Sequence, residues 1–335
     1  MRYIKGFLLW VGTLTLAGSY TLFAVSFTAN STIGNQETVV GWLDESDTYQ
    51  NAIDAIGSID IETSEEGGEG VEIDEKVALR AAQQALDSSD VRAWSNSVIS
   101  GVFAWLEGEA DRPEFTINLG DTKTSFADAL YNELLNEYEN LPECTEEKVQ
   151  EARRDPIGAS CQSSLANYEL AASQIRSDIL NNDDFLGESV YTVDSLNREG
   201  EEPIYEQLDS LPALYGVSQK LPLIFIAIAA ASSVVIVFAS GNRSLGLRRL
   251  SGRLITSAVG GAVATGMFIV ATMLILRSIG SNAEGEAANI ILEPLASVIV
   301  KDLIKYAVIV TVTALLLAIG LRIISIKTRR ENKSS

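Results

Sequence analysis

The chain has two cysteines and no histidine. Without His, the commonest general base, the commonest metal ligand and the physiological pH switch are all missing. Neither a Ser-His-Asp triad nor a Cys-His pair can be assembled. Cys144 and Cys161 are separated by residues 145–160. If that segment faces an oxidising compartment, the pair is expected to form a disulfide. Closing a loop of this length stabilises a fold by roughly 3 kcal/mol on the chain-entropy account. Two thiols without His or further Cys make a poor metal site.

Carboxylates are the other chemically active groups. Adjacent pairs occur at Glu146-Glu147, Asp183-Asp184 and Glu201-Glu202. Acid–base catalysis by two carboxylates needs a cleft that drives their pKa values apart. In so acidic a surface, adjacent pairs read as solvated charge. The segment GSIDIETSEEGGEGVEIDE, residues 57–75, lacks the D-x-D-x-D-G spacing of a calcium loop and reads as a flexible acidic segment. Within it, GEGVE lacks the strand–helix frame of a dinucleotide fingerprint, and no G-x-x-x-x-G-K-[ST] loop occurs. Lys76, Lys123 and Lys148 sit in no recognisable Ser-Lys setting. The expectation is a non-enzyme with no cofactor, no metal and no catalytic residue.

The elements that carry these residues separate by charge. Residues 30–218 hold 40 Asp+Glu and 10 Lys+Arg, a net of −30. The rest holds 5 Asp+Glu and 15 Lys+Arg, a net of +10. The acidic part repels nucleic acid and anionic lipid, which leaves cationic partners electrostatically favoured. Mean hydropathy is nonetheless +0.15. The apolar residues are concentrated in four runs: 7–29, 221–240, 254–276 and 304–323. Each is about 20 residues, the length that crosses a bilayer core of about 30 Å. The first run exceeds the apolar stretch of a signal peptide and is expected to be a retained anchor.

Basic residues cluster at alternate ends of these runs. Arg2 and Lys5 precede the first, in residues 1–6. Arg243, Arg248, Arg249 and Arg253 fill the connection 241–253, and Arg322, Lys327, Arg329, Arg330 and Lys333 follow the fourth, mostly in the tail 324–335. The positive-inside rule puts all three segments, and both termini, in the cytoplasm. Residues 30–218 then form a large extracytoplasmic domain, and 277–303 a second outer loop. In that loop, Pro294 is placed to start an interfacial helix that lies on the membrane or beneath the outer domain. No charge falls mid-span, which argues against an ion pathway in this chain alone. The third run pairs small residues, Ser257 with Gly261 and Ala262 with Gly266, a spacing that serves packing within the bundle or contact in an oligomer.

The outer domain reads as mainly α. Residues 32–56 read as helical, with Trp42 and Tyr49 two turns apart on one face. Helices are also expected at 76–86, from a cap at Ser89 or Asp90 through Trp105, and from Asp121 or Thr122 to about Asn140. A short helix capped by Thr145 and a longer one after Cys161 follow. PEFTINL, 113–119, and 190–196 read as short strands. A stretch from Pro203 feeds into the second span.

Three stretches resemble a family of uncharacterised bacterial membrane proteins: WLDESDTYQNAI at 42–53, VFAWLEGEADRPEFTINL at 102–119, and LPECT at 141–145 with Cys161. The resemblance implies one N-terminal span, a disulfide-bearing outer domain, further C-terminal spans and a bacterial plasma membrane. It carries no activity and no site residues. The one-plus-three topology is also similar to the permeases of one class of ABC systems, by analogy of layout. The chain is thus expected to be a mainly α polytopic membrane protein of the cell envelope. Its outer domain binds or scaffolds a protein partner. The alternative is a mechanotransmission permease working with a separate ATPase through the loop 241–253.

Overall fold

A computed structural model describes residues 2–56, 73–165, 167–182, 190–196, 203–282 and 286–334. Most of the acidic segment, residues 57–72, lies outside the described residues, as do Asp183-Asp184 and Glu201-Glu202. The chain is a mainly α polytopic membrane protein. Four helices are long and apolar enough to cross a membrane: α1 (Arg2–Asn30), α10 (Leu211–Ala239), α11 (Arg243–Asn282) and α12 (Glu286–Ser334). Between the first two lie α2 (Gln36–Glu45), α3 (Thr48–Ile56), α4 (Glu75–Ala85), α5 (Ser88–Glu107), α6 (Gly120–Glu139), α7 (Val149–Arg154), α8 (Tyr168–Asn181) and α9 (Ile204–Gln207). Two short strands, β1 (Thr116–Asn118) and β2 (Val190–Thr192), pair antiparallel with Ile117 opposite Tyr191.

The four long helices form one bundle. Leu16, Ile236 and Leu250 are buried together near one end, and Tyr20, Ala24, Ala258, Val310 and Ala314 further along. Lipid-solvated helices gain little from hydrophobic contact with each other, so small residues and hydroxyls carry the packing. Gly261 lies against the Tyr20 ring; an added Cβ would sit 2.9 Å from a ring carbon. Tyr20 Oη donates to the Val310 carbonyl (3.1 Å), and Ser251 Oγ to that of Ala318 (2.8 Å). Outward faces present Leu223, Phe238, Met267 and Leu316, all exposed, as a lipid-facing surface requires.

Two expected boundaries are corrected. The connection 241–253 is not a loop. Only residues 240–242 separate α10 from α11; Gly241 takes a positive φ of 74°, and Asn242 Oδ1 accepts from the Ser244 N–H. The interfacial helix expected within 277–303 is also not separate. It is the first part of α12, whose 49 residues extend about 74 Å. Pro294 sits inside that helix rather than at its start. Its ring forfeits one backbone hydrogen bond, yet the helix continues because Ile299 and Leu303 are buried against Trp42 and Ile269.

The remaining helices form a head domain in two parts. Farther along, α4, α6 and α8 bury Val77, Ala81, Leu130, Leu134, Tyr168, Ala172 and Ile175 in one core. Nearer the bundle, α2, α3 and α5 pack on the extended ends of α10 and α12. The helix expected over 32–56 breaks at Asp47, whose φ is 51°. Ser46 Oγ turns back to the Trp42 carbonyl and to Thr48 Oγ1, which favours the break. Trp42 packs with Ile269 of α11 and with Ile299 and Leu303 of α12, and Tyr49 lies under the Arg92 guanidinium of α5. The cap of α5 is Asp87, not Ser89 or Asp90. Thr145 caps no helix of its own; its carbonyl accepts from Lys148 and Val149, and α7 starts at Val149.

Candidate functional site

A broad concavity of the head domain lies beside the disulfide. Cys144 and Cys161 are bonded, with Cα atoms 4.9 Å apart. The bond aligns two extended segments: Cys144 N–H donates to the Gln162 carbonyl (2.9 Å), and Gln162 N–H to that of Pro142 (2.7 Å). Tyr138 closes the arrangement. Its hydroxyl donates to the Ser163 carbonyl and accepts from the Ser163 N–H, both at 2.9 Å. Its ring stacks on Tyr168 with centroids 4.1 Å apart. A helix, a disulfide-tied turn and the start of the next helix are thereby held in one geometry.

Between them is a cleft of about 1120 Å³. Tyr131, Leu135, Tyr138 and Glu139 line it from α6, Glu143 and Cys144 from the turn, and Tyr168, Glu169 and Leu170 from α8. Burial pushes the Tyr168 phenol up to about 12, so it stays neutral at physiological pH. The cleft's support is cross-braced. Arg80 of α4 binds Glu133 (2.6 Å) and Glu137 (2.9 Å) of α6, and Gln84 also donates to Glu133. Arg176 of α8 binds Asp128 of α6. The Arg80 hydrogen bond, with the Gln84 hydrogen bond and the Arg80 charge, holds the Glu133 carboxyl below its ordinary value.

A second constellation joins head and bundle. Trp42 Nε1 donates to Asp302 Oδ2 of α12 (2.9 Å), Lys301 pairs with Glu45, and Lys305 Nζ lies 3.3 Å from Asp302. On the opposite flank, Tyr215 Oη (3.0 Å) and Gln219 Nε2 (2.9 Å) of α10 donate to the Gly34 carbonyl, and the Tyr215 ring meets Phe103 edge-on. The sequence places the segment around Pro294 on the membrane or beneath the outer domain, and the structure packs it beneath α2 and α3. Sequence reasoning missed the individual partners, Trp42 and Glu45, of Asp302 and Lys301.

The other residues singled out by sequence fall as follows. Lys5, Arg243, Arg248, Arg249, Arg253, Lys327 and Arg329 are exposed. They lie toward the end of the bundle remote from the head, where Ser244 and Ser325 exchange hydrogen bonds. Arg2 and Arg330 belong to the terminal turns of α1 and α12. Ser257 and Gly261 are buried inside the bundle, whereas Ala262 is exposed and Gly266 has no neighbour near its Cβ position. The small residues therefore serve two faces, not one. Among the described residues, no three His, Cys, Asp or Glu side chains cluster as a metal site would require.

The chain matches no protein-family model, no curated protein and no solved structure, so its placement rests on four apolar helices and one disulfide.

Proposed function

We propose that this chain is a non-enzymatic protein of a bacterial plasma membrane whose extracytoplasmic domain binds or scaffolds a protein partner. The observation that carries this reading is the cleft of about 1120 Å³, built on a disulfide-tied and cross-braced frame. The frame is joined through α4 and α3 to a helix, α12, that continues into the membrane. On this reading both termini are cytoplasmic, residues 30–218 lie outside, and the lipid bilayer is the other partner. The basic ends of the bundle support that orientation through the positive-inside rule. A photoreactive residue at position 170 should crosslink a second protein in native membranes, whereas one at Gly41, in α2, should not. Repeated recovery of this chain alone from position 170 would count against the reading.

The uninterrupted course of α12 favours a second reading, a mechanotransmission permease. One rigid element contacts the head through Trp42 and Glu45 and ends in the basic tail. Movement of the head would reach the far membrane face without a hinge. If a separate ATPase docks on the start of α11, Arg248→Glu with Arg249→Glu should abolish its co-purification. An ATPase gene beside this one would strengthen the case.

A further inference from the structure

The charges that line the cleft are all of one sign. Among the described residues its lining includes Glu139, Glu143 and Glu169 and contains no Lys or Arg. None of these three carboxylates forms an ion pair among the described residues. On α6, outside the cleft, Glu133 and Glu137 are matched by Arg80 and Asp128 by Arg176. The cleft thus keeps a negative rim that no ion pair among the described residues compensates.

The walls are not polar to match. Tyr131, Leu135, Tyr138, Tyr168 and Leu170 contribute to them. Leu170 is 56% exposed, and Leu165, near it in sequence, 60%. Apolar side chains left open beside a concave surface are a mark of a contact site. The volume slightly exceeds the range of about 300–1,000 Å³ usual for small ligands, which suits a length of chain. Tyrosine faces attract cations, and Lys or Arg stems cover apolar surface while their heads reach carboxylates.

We propose that the cleft binds a basic, leucine-bearing peptide segment of a partner protein. Lysine or arginine heads meet Glu139, Glu143 and Glu169, and an aliphatic side chain packs on Leu170. This rests on the reading that the cleft is the partner-binding site. Because the carboxylates are exposed, affinity should fall as salt rises.

The test uses the full chain in phosphatidylcholine nanodiscs and three fluorescein-labelled peptides of equal length: Lys/Leu, Lys/Ser and Glu/Leu. The Lys/Leu peptide should bind saturably and more tightly than the other two. Combining Glu139→Gln, Glu143→Gln and Glu169→Gln should weaken it by about tenfold or more. Leu170→Ser should weaken Lys/Leu binding and leave Lys/Ser binding unchanged. Combining Glu109→Gln, Asp111→Asn and Glu114→Gln removes equal charge away from the cleft and should change affinity by less than about twofold. All these substitutions are at exposed positions, so the fold is retained. Equal losses from both triple variants would mean attraction to bulk charge and overturn the proposal. Saturable Glu/Leu binding that Leu170→Ser abolishes would overturn the basic ligand class and leave a partner-binding cleft. No saturable binding of any peptide would overturn both.

Discussion

Gly101 stands where α5 meets the segment leading into β1. A Cβ there would lie 2.1 Å from the Glu114 carbonyl oxygen, a backbone atom that cannot swing aside. Gly101→Ala should therefore destabilise the protein by about 1–3 kcal/mol, as overpacking does. Gly41, in α2, has nothing within 4 Å of its Cβ position, so Gly41→Ala should be neutral or mildly stabilising. Thermal midpoints of the two variants in one detergent check the pair. Glu133 gives a pH prediction. Its folded carboxyl is held below the ordinary 4.5. The stability it contributes is complete above that value and is lost as pH falls through the lowered one. Melting in steps below pH 4.5 should show the loss, and Glu133→Gln should lose less stability over the same steps.

At the scale of elements, the disulfide and the α12 junction act on different things. Cys144–Cys161 restricts a surface turn, so replacing both with Ser should cost about 3 kcal/mol. Lower protease resistance around 141–164 would report it. The junction transmits position instead. Trp42→Phe keeps an aromatic ring but removes the N–H that reaches Asp302. Hydrogen exchange should then quicken over 36–45 and 295–305, while 126–138 keeps its protection. Uniform quickening would mean that the head is one cooperative unit rather than two.

At the scale of the whole molecule, the prediction concerns sides. Its two native cysteines are bonded to each other, so a single introduced thiol should be the reactive one. A membrane-impermeant maleimide should label a cysteine at exposed Asn140 in intact cells. It should label one at exposed Gly252 only after permeabilisation. The reverse pattern would invert the orientation proposed above. The outcome also decides which proteins can meet the cleft.

Much of this architecture was legible in the chain. Twenty-residue apolar runs have few alternatives to membrane helices, because an unpaired backbone group in lipid costs several kcal/mol. Helical periodicity located α5, α6 and α8, and two cysteines in a segment read as facing an oxidising compartment pointed to the disulfide. Local signals failed where a distant surface decided. Pro294 read as a helix start, yet it lies inside α12, because packing outweighs one lost hydrogen bond. Trp42 and Tyr49 shared a face only until the turn at Asp47 sent one toward the membrane helices and the other toward Arg92. The cleft was the least legible. Its residues lie from 131 to 173 on three separate segments. Whether a carboxylate there has a counter-ion depends on where Arg80 and Arg176 come to rest. Composition and periodicity set the spans, the helices and the covalent tie, since those depend on neighbours along the chain. Tertiary structure alone decided which acids stay unpaired and how the head is seated, since those depend on neighbours across it.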